Sequence, residues 1–295
     1  MKEKAKILIY GTGVIGSIYA TKLAKAGYDI SVYACGLRLQ VLQQKGLLYS
    51  DKSQVKKANV KVTDKVKVSD VYDFILVAVK YQQIEGALKE LATNMSPNVV
   101  TMVNNPKGYQ DWEQILGKGR LLPAFAGAGG RIEDDVLHYT FTPRIIQSTT
   151  CGEIDGSIST RLLSLIKVMR SCKITCRLEK DMDAWQKSHL ALVLPLSNAI
   201  YFDGGDNYST AKNTVAIQMM ATELQSNFQS LKNKKITITP AKLNVLYYCP
   251  LWLLKFMLKV FCATKLAAAV SGHLPYIEDE IAQLNSEFYK LLKLS

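Results

Sequence analysis

Histidine is scarce in this sequence, and no two cysteines are spaced as a metal-binding pair. The three histidines, His138, His189 and His273, lie far apart in the chain. The six cysteines, Cys35, Cys151, Cys172, Cys176, Cys249 and Cys262, form no CxxC motif. A zinc-type site needs clustered imidazoles and thiolates, so no metal is expected. The cysteines read instead as reduced, buried thiols of a cytoplasmic protein. There is no arginine-rich arm and no alternation of basic with aromatic residues. The net charge of +12 therefore does not point to nucleic acid. Repeats and low-complexity segments are absent. The lysines at the N-terminus precede an apolar run, but glycines interrupt it early and no small-residue cleavage site follows, so it is not read as a signal peptide. A membrane span is also not expected. The apolar stretch 246–270 is interrupted by Lys255, Lys259 and Lys265, which fall in one wedge at about 100° per residue. This stretch reads as an amphipathic helix facing the core, with contact to a membrane surface as the alternative.

What is present is enough apolar residue for a full core. The chain has 295 residues, 48% of them hydrophobic, and this length predicts two domains. Residues 6–10 form a short apolar run, the pattern of a strand buried on both faces. It leads into Gly11-Thr12-Gly13-Val14-Ile15-Gly16, then a helix over 14–26, Gly27, and a second strand over 29–33. A strand, a glycine turn, a helix and a strand in about thirty residues is the layout of a dinucleotide site. Gly11 permits the turn, Gly13 lets the backbone approach a pyrophosphate, and Gly16 lets helix and strand pack closely. The helix N-terminus supplies free N–H groups and a positive dipole end to the phosphates.

The turn after the second strand holds Ala34-Cys35-Gly36-Leu37-Arg38. An acidic residue there would bind the ribose 2′-hydroxyl of NAD. None is present and Arg38 is near, so a 2′-phosphate, hence NADP(H), is expected. The competing reading makes Arg38 an ordinary surface arginine. Residues 40–49 read as helix and turn, and 55–68 as an exposed strand pair. A second doubly buried strand, 73–79, ends at Lys80, where a phosphate, a nicotinamide ribose or a substrate carboxylate would lie. Further strands are expected over 99–103, ending at Asn104, and over 121–125, before the glycine-rich AGAGGR. Residues 136–141 and 144–149 read as an antiparallel pair, 160–171 as a helix and 173–177 as an edge strand. Beyond residue 178 only helices are expected, over 182–200 with a bend at Pro195, 208–231, 251–270 and 276–294. The boundary placed there gives an α/β dinucleotide-binding Rossmann-type domain, 1–178, and an all-α domain, 179–295.

These residues resemble the ketopantoate reductase family. The resemblance rests on KILIYGTGVIG at the N-terminus, VKYQ at Val79 to Gln82, the strand end at Asn104 and AWQK at Ala184 to Lys187, in that order. It covers roughly the first 205 residues. It implies a Rossmann domain followed by a helical domain of the 6-phosphogluconate dehydrogenase C-terminal type, with the active site in the cleft between them. It further implies NADPH as hydride donor and a 2-keto acid as substrate. The family's catalytic lysine falls on Lys187, with Lys80 and Asn104 lining the cleft and the cofactor touching Asn104 and the backbone near Gly130.

The chemistry asks for such a lysine independently. Hydride attack on a ketone builds an alkoxide, which a nearby ammonium can stabilise and protonate. The opposing reading is a surface ion pair between Lys187 and Asp183, one helical turn earlier. His189 points to another face and reads as a packing residue, and His273 as a cap or surface residue. The family's substrate asparagines fall here on Ala191, Pro195 and Gly205, which puts ketopantoate itself in question. Asn198, at about the same helix angle as Lys187, is a candidate replacement. The Ala191 carbonyl, deprived of a helical donor by Pro195, is a candidate acceptor. The expected partners are a small carbonyl or carboxylate substrate, with a homodimer left open. A cofactor-binding sensor or scaffold without turnover is the second reading.

Overall fold

The structure, a computed structural model, describes residues 4–144, 146–271, 274 and 277–293. His273 lies outside them. The front of the chain forms as its sequence requires. Strand β1 (Lys6–Tyr10) runs into the glycine turn, helix α1 (Val14–Lys25) follows, and β2 (Asp29–Tyr33) returns parallel to β1. Helix α1 gives way to Gly27, whose φ of +80° carries the chain into β2. Helix α2 (Gly36–Lys45) comes next, then β3 (Leu47–Asp51), β4 (Gln54–Ala58), β5 (Lys61–Thr63) and β6 (Phe74–Val77). Helix α3 (Ile84–Ala92), β7 (Val99–Thr101), α4 (Gln110–Leu116) and β8 (Leu121–Phe125) continue the alternation. Strands β9 (Ala128–Glu133), β10 (Val136–Phe141) and β11 (Thr149–Cys151), helix α5 (Thr160–Ser171) and β12 (Cys176–Leu178) complete it.

Eight of these strands form one sheet in the order β12-β11-β8-β7-β6-β1-β2-β5. All its pairings are parallel except β11 with β8. β1 sits between β2 and β6, and Ile7, Leu8 and Ile9 are fully shielded, which is why its sequence is continuously apolar.

The other four strands form a second sheet, β4-β3-β10-β9, and here the structure departs from the expected pairings. β10 pairs antiparallel with β9, not with 144–149. The glycine-rich segment after β8, to which no element was assigned, thus supplies β9. The two-residue turn Asp134-Asp135 has φ of 50° and 68° at both positions, the geometry that matches the twist of a hairpin. Lys52-Ser53, with the same two values, closes β3 onto β4 in the same way. The exposed pair expected over 55–68 is thus divided: β4 belongs to that hairpin, and β5 joins the edge of the large sheet beside β2. The sequence carried no Asn-Gly or Asp-Gly signal for either turn, so register had to be decided by the sheet.

The chain divides into two compact units, residues 1–103 with 109–182, and residues 104–108 with 183–295. The division falls four residues beyond the boundary expected at residue 178, and the short loop 104–108 belongs to the second unit. That unit is helical: α6 (Met182–Phe202), α7 (Asn207–Thr210), α8 (Thr214–Asn233), α9 (Asn244–Tyr248), α10 (Leu251–Cys262), α11 (Lys265–Ser271) and α12 (Glu278–Lys293). Pro195 lies inside α6, which continues through it. The helix expected over 208–231 is split, because the Asn213 side chain accepts from the N–H groups of Val215 and Ala216 and starts α8 afresh. The helix expected over 251–270 is also two, since Thr264 Oγ1 accepts from the N–H of Ala267 and caps α11.

Candidate active site

The glycine turn has the form that a pyrophosphate requires. A Cβ on Gly11 would meet the Ala78 carbonyl oxygen at 2.6 Å, and one on Gly16 would meet the Gly11 carbonyl oxygen at 1.9 Å. These two glycines are demanded by the protein's own packing. Gly13 differs: a Cβ there would meet nothing within 4 Å, and the residue is exposed. Its bareness serves nothing inside the chain and leaves room for a group from outside. Gly13 is the N-cap of α1 without a side-chain cap, and the first turn has no acidic residue. The N–H groups of Val14 and Ile15 therefore start a helix with no intrahelical acceptor and no competing anion. This is the fit expected of a dinucleotide's phosphates.

The turn is held from behind. Ser17 Oγ donates to the Thr12 carbonyl at 3.1 Å, and Arg38 Nε donates to the same oxygen at 3.1 Å. The Arg38 guanidinium also lies 3.4 Å from Ser17 Oγ. Arg38 is therefore not simply a solvated surface residue. It is half-buried in the first turn of α2, and burial lowers its pKa from the ordinary arginine value. A side chain that stabilises the glycine turn while keeping its charge at a helix N-terminus suits a cofactor phosphate.

Two aromatic residues beside the turn were not singled out by sequence. Tyr10 and Tyr33, the last residues of β1 and β2, stack with ring centroids 4.3 Å apart. Tyr10 donates to Glu90 of α3, and the Tyr33 hydroxyl lies 3.4 Å from the same carboxylate. Burial, reinforced by Glu90, pushes the Tyr10 hydroxyl far above its ordinary pKa, so it stays a donor. Lys80, expected at a strand end, lies three residues past β6, half-buried, with its N–H bonded to Gln83 Oε1 at 3.2 Å. Gly130 is in β9 opposite Tyr139, and a Cβ there would meet the His138 carbonyl oxygen at 2.2 Å. The close approach of β10 is by itself a sufficient reason for that glycine.

In the helical unit, Lys187 is 8% exposed, so it is not a surface lysine. Ala184 to Ser188 are all buried, and five consecutive buried residues cover every side of a helix. Lys187 Nζ pairs with Asp183 Oδ2 at 2.5 Å, one helical turn away. The other carboxylate oxygen, Asp183 Oδ1, is buried and accepts no hydrogen bond. Asn104 Oδ1, in the loop 104–108 of the same unit, is likewise buried and without a donor. Orphaned acceptors of this kind are costly unless something donates to them. The loop is fixed to α6 and α12 by Asn105 N–H donating to Gln186 Oε1 at 3.4 Å and by the Lys107–Glu287 ion pair at 3.2 Å. Asn105 and Gln186 were missed by sequence reasoning. Their signal was available: an Asn-Asn-Pro turn, and a glutamine adjoining the candidate lysine.

The two stand-ins suggested for the lost asparagines behave differently from expectation. Pro195 does free the Ala191 carbonyl, but that oxygen is not left as a substrate acceptor. Asn227 Nδ2 of α8 lies 3.5 Å from it, inside the helical unit. The correction has a plain cause: an orphaned carbonyl in a buried helix recruits the nearest donor. Asn198 is engaged at both ends of its amide. Nδ2 donates to Glu223 Oε1 at 2.8 Å, and Oδ1 accepts from Asn285 at 2.7 Å. Tyr289 also donates to Glu223, and burial of the tyrosine, reinforced by that carboxylate, raises its pKa. His189 stacks on Trp185 at 5.1 Å, and burial pushes its pKa down to about 4. It is a neutral packing residue at pH 7, as its position on the helix suggested.

The parallel sheet with its glycine turn, followed in the chain by a helical region, defines the class: a Rossmann-type fold of the kind that dehydrogenases and reductases use. The chain belongs to the ketopantoate reductase PanE/ApbA family, whose family model matches residues 7–155. It is 34% identical over 136 residues to the 2-dehydropantoate 2-reductase of Mesorhizobium japonicum. That stretch is 45% of this chain and 37% of the relative, so this chain spans little more than a third of that relative's length in the match. Among solved structures, the 2-dehydropantoate 2-reductase of Porphyromonas gingivalis superposes with a TM-score of 0.67 at 14% identity, covering 98% of this chain and 100% of the other. D-mandelate dehydrogenase with NADH and anilino(oxo)acetate superposes with a TM-score of 0.70 at 12% identity, covering 98% and 100%. At these identities the superpositions establish the fold.

Proposed function

We propose that this chain reduces a small 2-keto acid or related carbonyl, using NADP(H). The observation that carries the reading is the buried Lys187 ammonium held against Asp183 beside an unsatisfied carboxylate oxygen. A bound nicotinamide would supply the hydride. Gly11, Thr12, Gly13, Val14, Ile15 and Gly16 would cradle its pyrophosphate, and Arg38 would meet a 2′-phosphate. Lys80, Asn104 and the backbone at Gly130 are proposed as further cofactor contacts on the family pattern, with Lys80 also meeting the substrate carboxylate. Lys187 acts as general acid: its ammonium stabilises the charge growing on the carbonyl oxygen and gives that oxygen a proton. Asp183 holds the amine in one rotamer, so the donor needs no reorientation.

Ketopantoate is not proposed as the preferred substrate. With Ala191, Pro195 and Gly205 where the family has asparagines, a polar substrate loses partners, a loss that costs selectivity steeply. Asn198 remains the candidate substrate contact, acting from the Glu223–Asn285 network. Its Ala variant should raise KM for the true substrate.

The test is a fluorescence titration with NADPH and NADH, followed by NADPH oxidation against a panel of 2-keto acids. NADPH should bind more tightly than NADH, and Arg38→Ala should lose about tenfold more for NADPH than for NADH, the size of one charge-assisted contact. Equal binding of the two cofactors would remove NADP specificity from the reading. Binding with no turnover on any substrate would favour a cofactor-dependent sensor, a reading supported by how completely Asn198 and the Ala191 carbonyl are occupied within the helical unit.

A further inference from the structure

The helical unit carries an apolar stripe on its outside. Val245, Tyr248, Trp252, Phe256, Met257 and Val260 are exposed, Trp252 by 69% and Phe256 by 62%. Tyr248, Trp252 and Phe256 are among the largest side chains in the protein, and all six residues lie in α9 and α10. On a helix advancing about 100° per residue, Trp252, Phe256 and Val260 follow one another along a single line. Leu254, Leu258 and Cys262 are buried on the opposite side, where α10 packs against α8. The expectation that the apolar face of α10 turns inward is thus only half met, because α10 is apolar on two faces and the core takes one.

Along the chain, the charge flanking this stripe is of one sign. Residues 224–277 contain seven lysines and no aspartate or glutamate. Lys259 and Lys265 are exposed, Lys255 is half-buried with Nζ 2.9 Å from Gln218 Oε1, and Lys232 lies over the rings of Tyr247 and Tyr248 at 3.9 and 4.0 Å. Trp, Tyr and Phe beside lysines, with no acid among them, is the composition that settles at the boundary between headgroups and acyl chains. A second copy of this chain would bring the same lysines against each other, whereas an anionic bilayer meets them with opposite charge. A span is not the alternative. Ala241–Tyr248 and Leu251–Cys262 are together apolar enough for one, but they meet at 118° and α10 is packed on its inner side.

We infer that α9 and α10 form a docking surface for an anionic phospholipid bilayer, with Trp252 and Phe256 inserted among the acyl chains and Lys259 and Lys265 at the headgroups. The test uses the full chain and vesicles of phosphatidylcholine alone or mixed with phosphatidylglycerol. Trp252 reports directly, because the other two tryptophans, Trp112 and Trp185, are buried. The expected result is co-sedimentation with the mixed vesicles only, a blue shift of tryptophan emission, and weakening by salt. Lys259→Gln with Lys265→Gln should lower partitioning about 30-fold, from two surface lysines. Trp252→Ser with Phe256→Ser should abolish the shift while circular dichroism stays unchanged. Absence of co-sedimentation, or equal binding to neutral vesicles, would overturn the inference. So would a dimer in sedimentation velocity that the Trp252→Ser, Phe256→Ser variant splits into monomers, since the occupant would then be a second copy.

Discussion

The glycine turn in the first unit and the Lys187 helix in the second are built by opposite means. The turn is largely local: β1, three glycines and the start of α1 make it from eleven consecutive residues, and Gly16 is fixed against the Gly11 carbonyl, with Gly11 in turn held close to Ala78 just past β6. Lys187 is placed by pieces remote in the chain. It is buried in α6, and the loop tied to that helix through Asn105 and Gln186 is contributed by residues 104–108, about eighty positions earlier. A local device is visible in a motif. A device assembled from remote pieces is visible only as a residue of the right type.

Separating the two sites by mutation sharpens that contrast. The largest expected effect is that of Lys187→Ala, which should lower turnover about 10³-fold with NADPH affinity little changed. Loss of cofactor affinity in that variant would mean the lysine serves binding instead. Next come the glycines, where the structure predicts a division of labour. Gly16→Ala drives a Cβ into the Gly11 carbonyl and should cost about 3 kcal/mol or more in chemical denaturation. Gly13→Ala meets nothing and has φ of −67°, so stability should stay within about 0.5 kcal/mol while NADPH affinity falls at least about tenfold. An unchanged affinity would show that no phosphate approaches Gly13.

In the helical unit, Asn227→Ala leaves the Ala191 carbonyl without its donor and should cost about 2–3 kcal/mol. Pro195→Ala restores a backbone N–H to that carbonyl, so the double variant should lose clearly less than the sum, as read in a double-mutant cycle. The smallest effect concerns pH. His189 has a folded pKa near 4 against about 6.5 unfolded, so its contribution is intact above pH 6.5 and fades as pH falls toward 4. Urea unfolding at pH 7 and pH 5 should show about 2 kcal/mol of loss from this group. His189→Phe, which keeps the stack on Trp185, should remove that part of the pH dependence.

The sheet's turns show how far sequence reading reached. The large sheet's central strands were legible because strands buried on both faces leave no choice but continuous apolar residues. The second sheet was misread because its turns, Lys52-Ser53 and Asp134-Asp135, place residues other than glycine at positive φ, without the Asn-Gly or Asp-Gly pair that marks such a hairpin. Ala128 to Glu133 has too many glycines to look like a strand, yet Gly130 is what lets β10 come close. In the candidate site, Lys187 and Arg38 were identifiable by type and position and Asn105 and Gln186 carried a local signal, while Asn227 did not, because it acts on a residue remote in sequence.

The sequence by itself determined the glycine turn, the buried parallel strands and the change from alternating elements to helices, since these depend on chain stiffness and hydrophobic pattern within a few residues. Only the tertiary structure decided that Lys187 is buried rather than a surface ion-pair partner, that the Ala191 carbonyl is capped by Asn227, and that α10 turns an apolar face outward. Each of these depends on which surfaces a folded core has room to cover, and no local pattern encodes that.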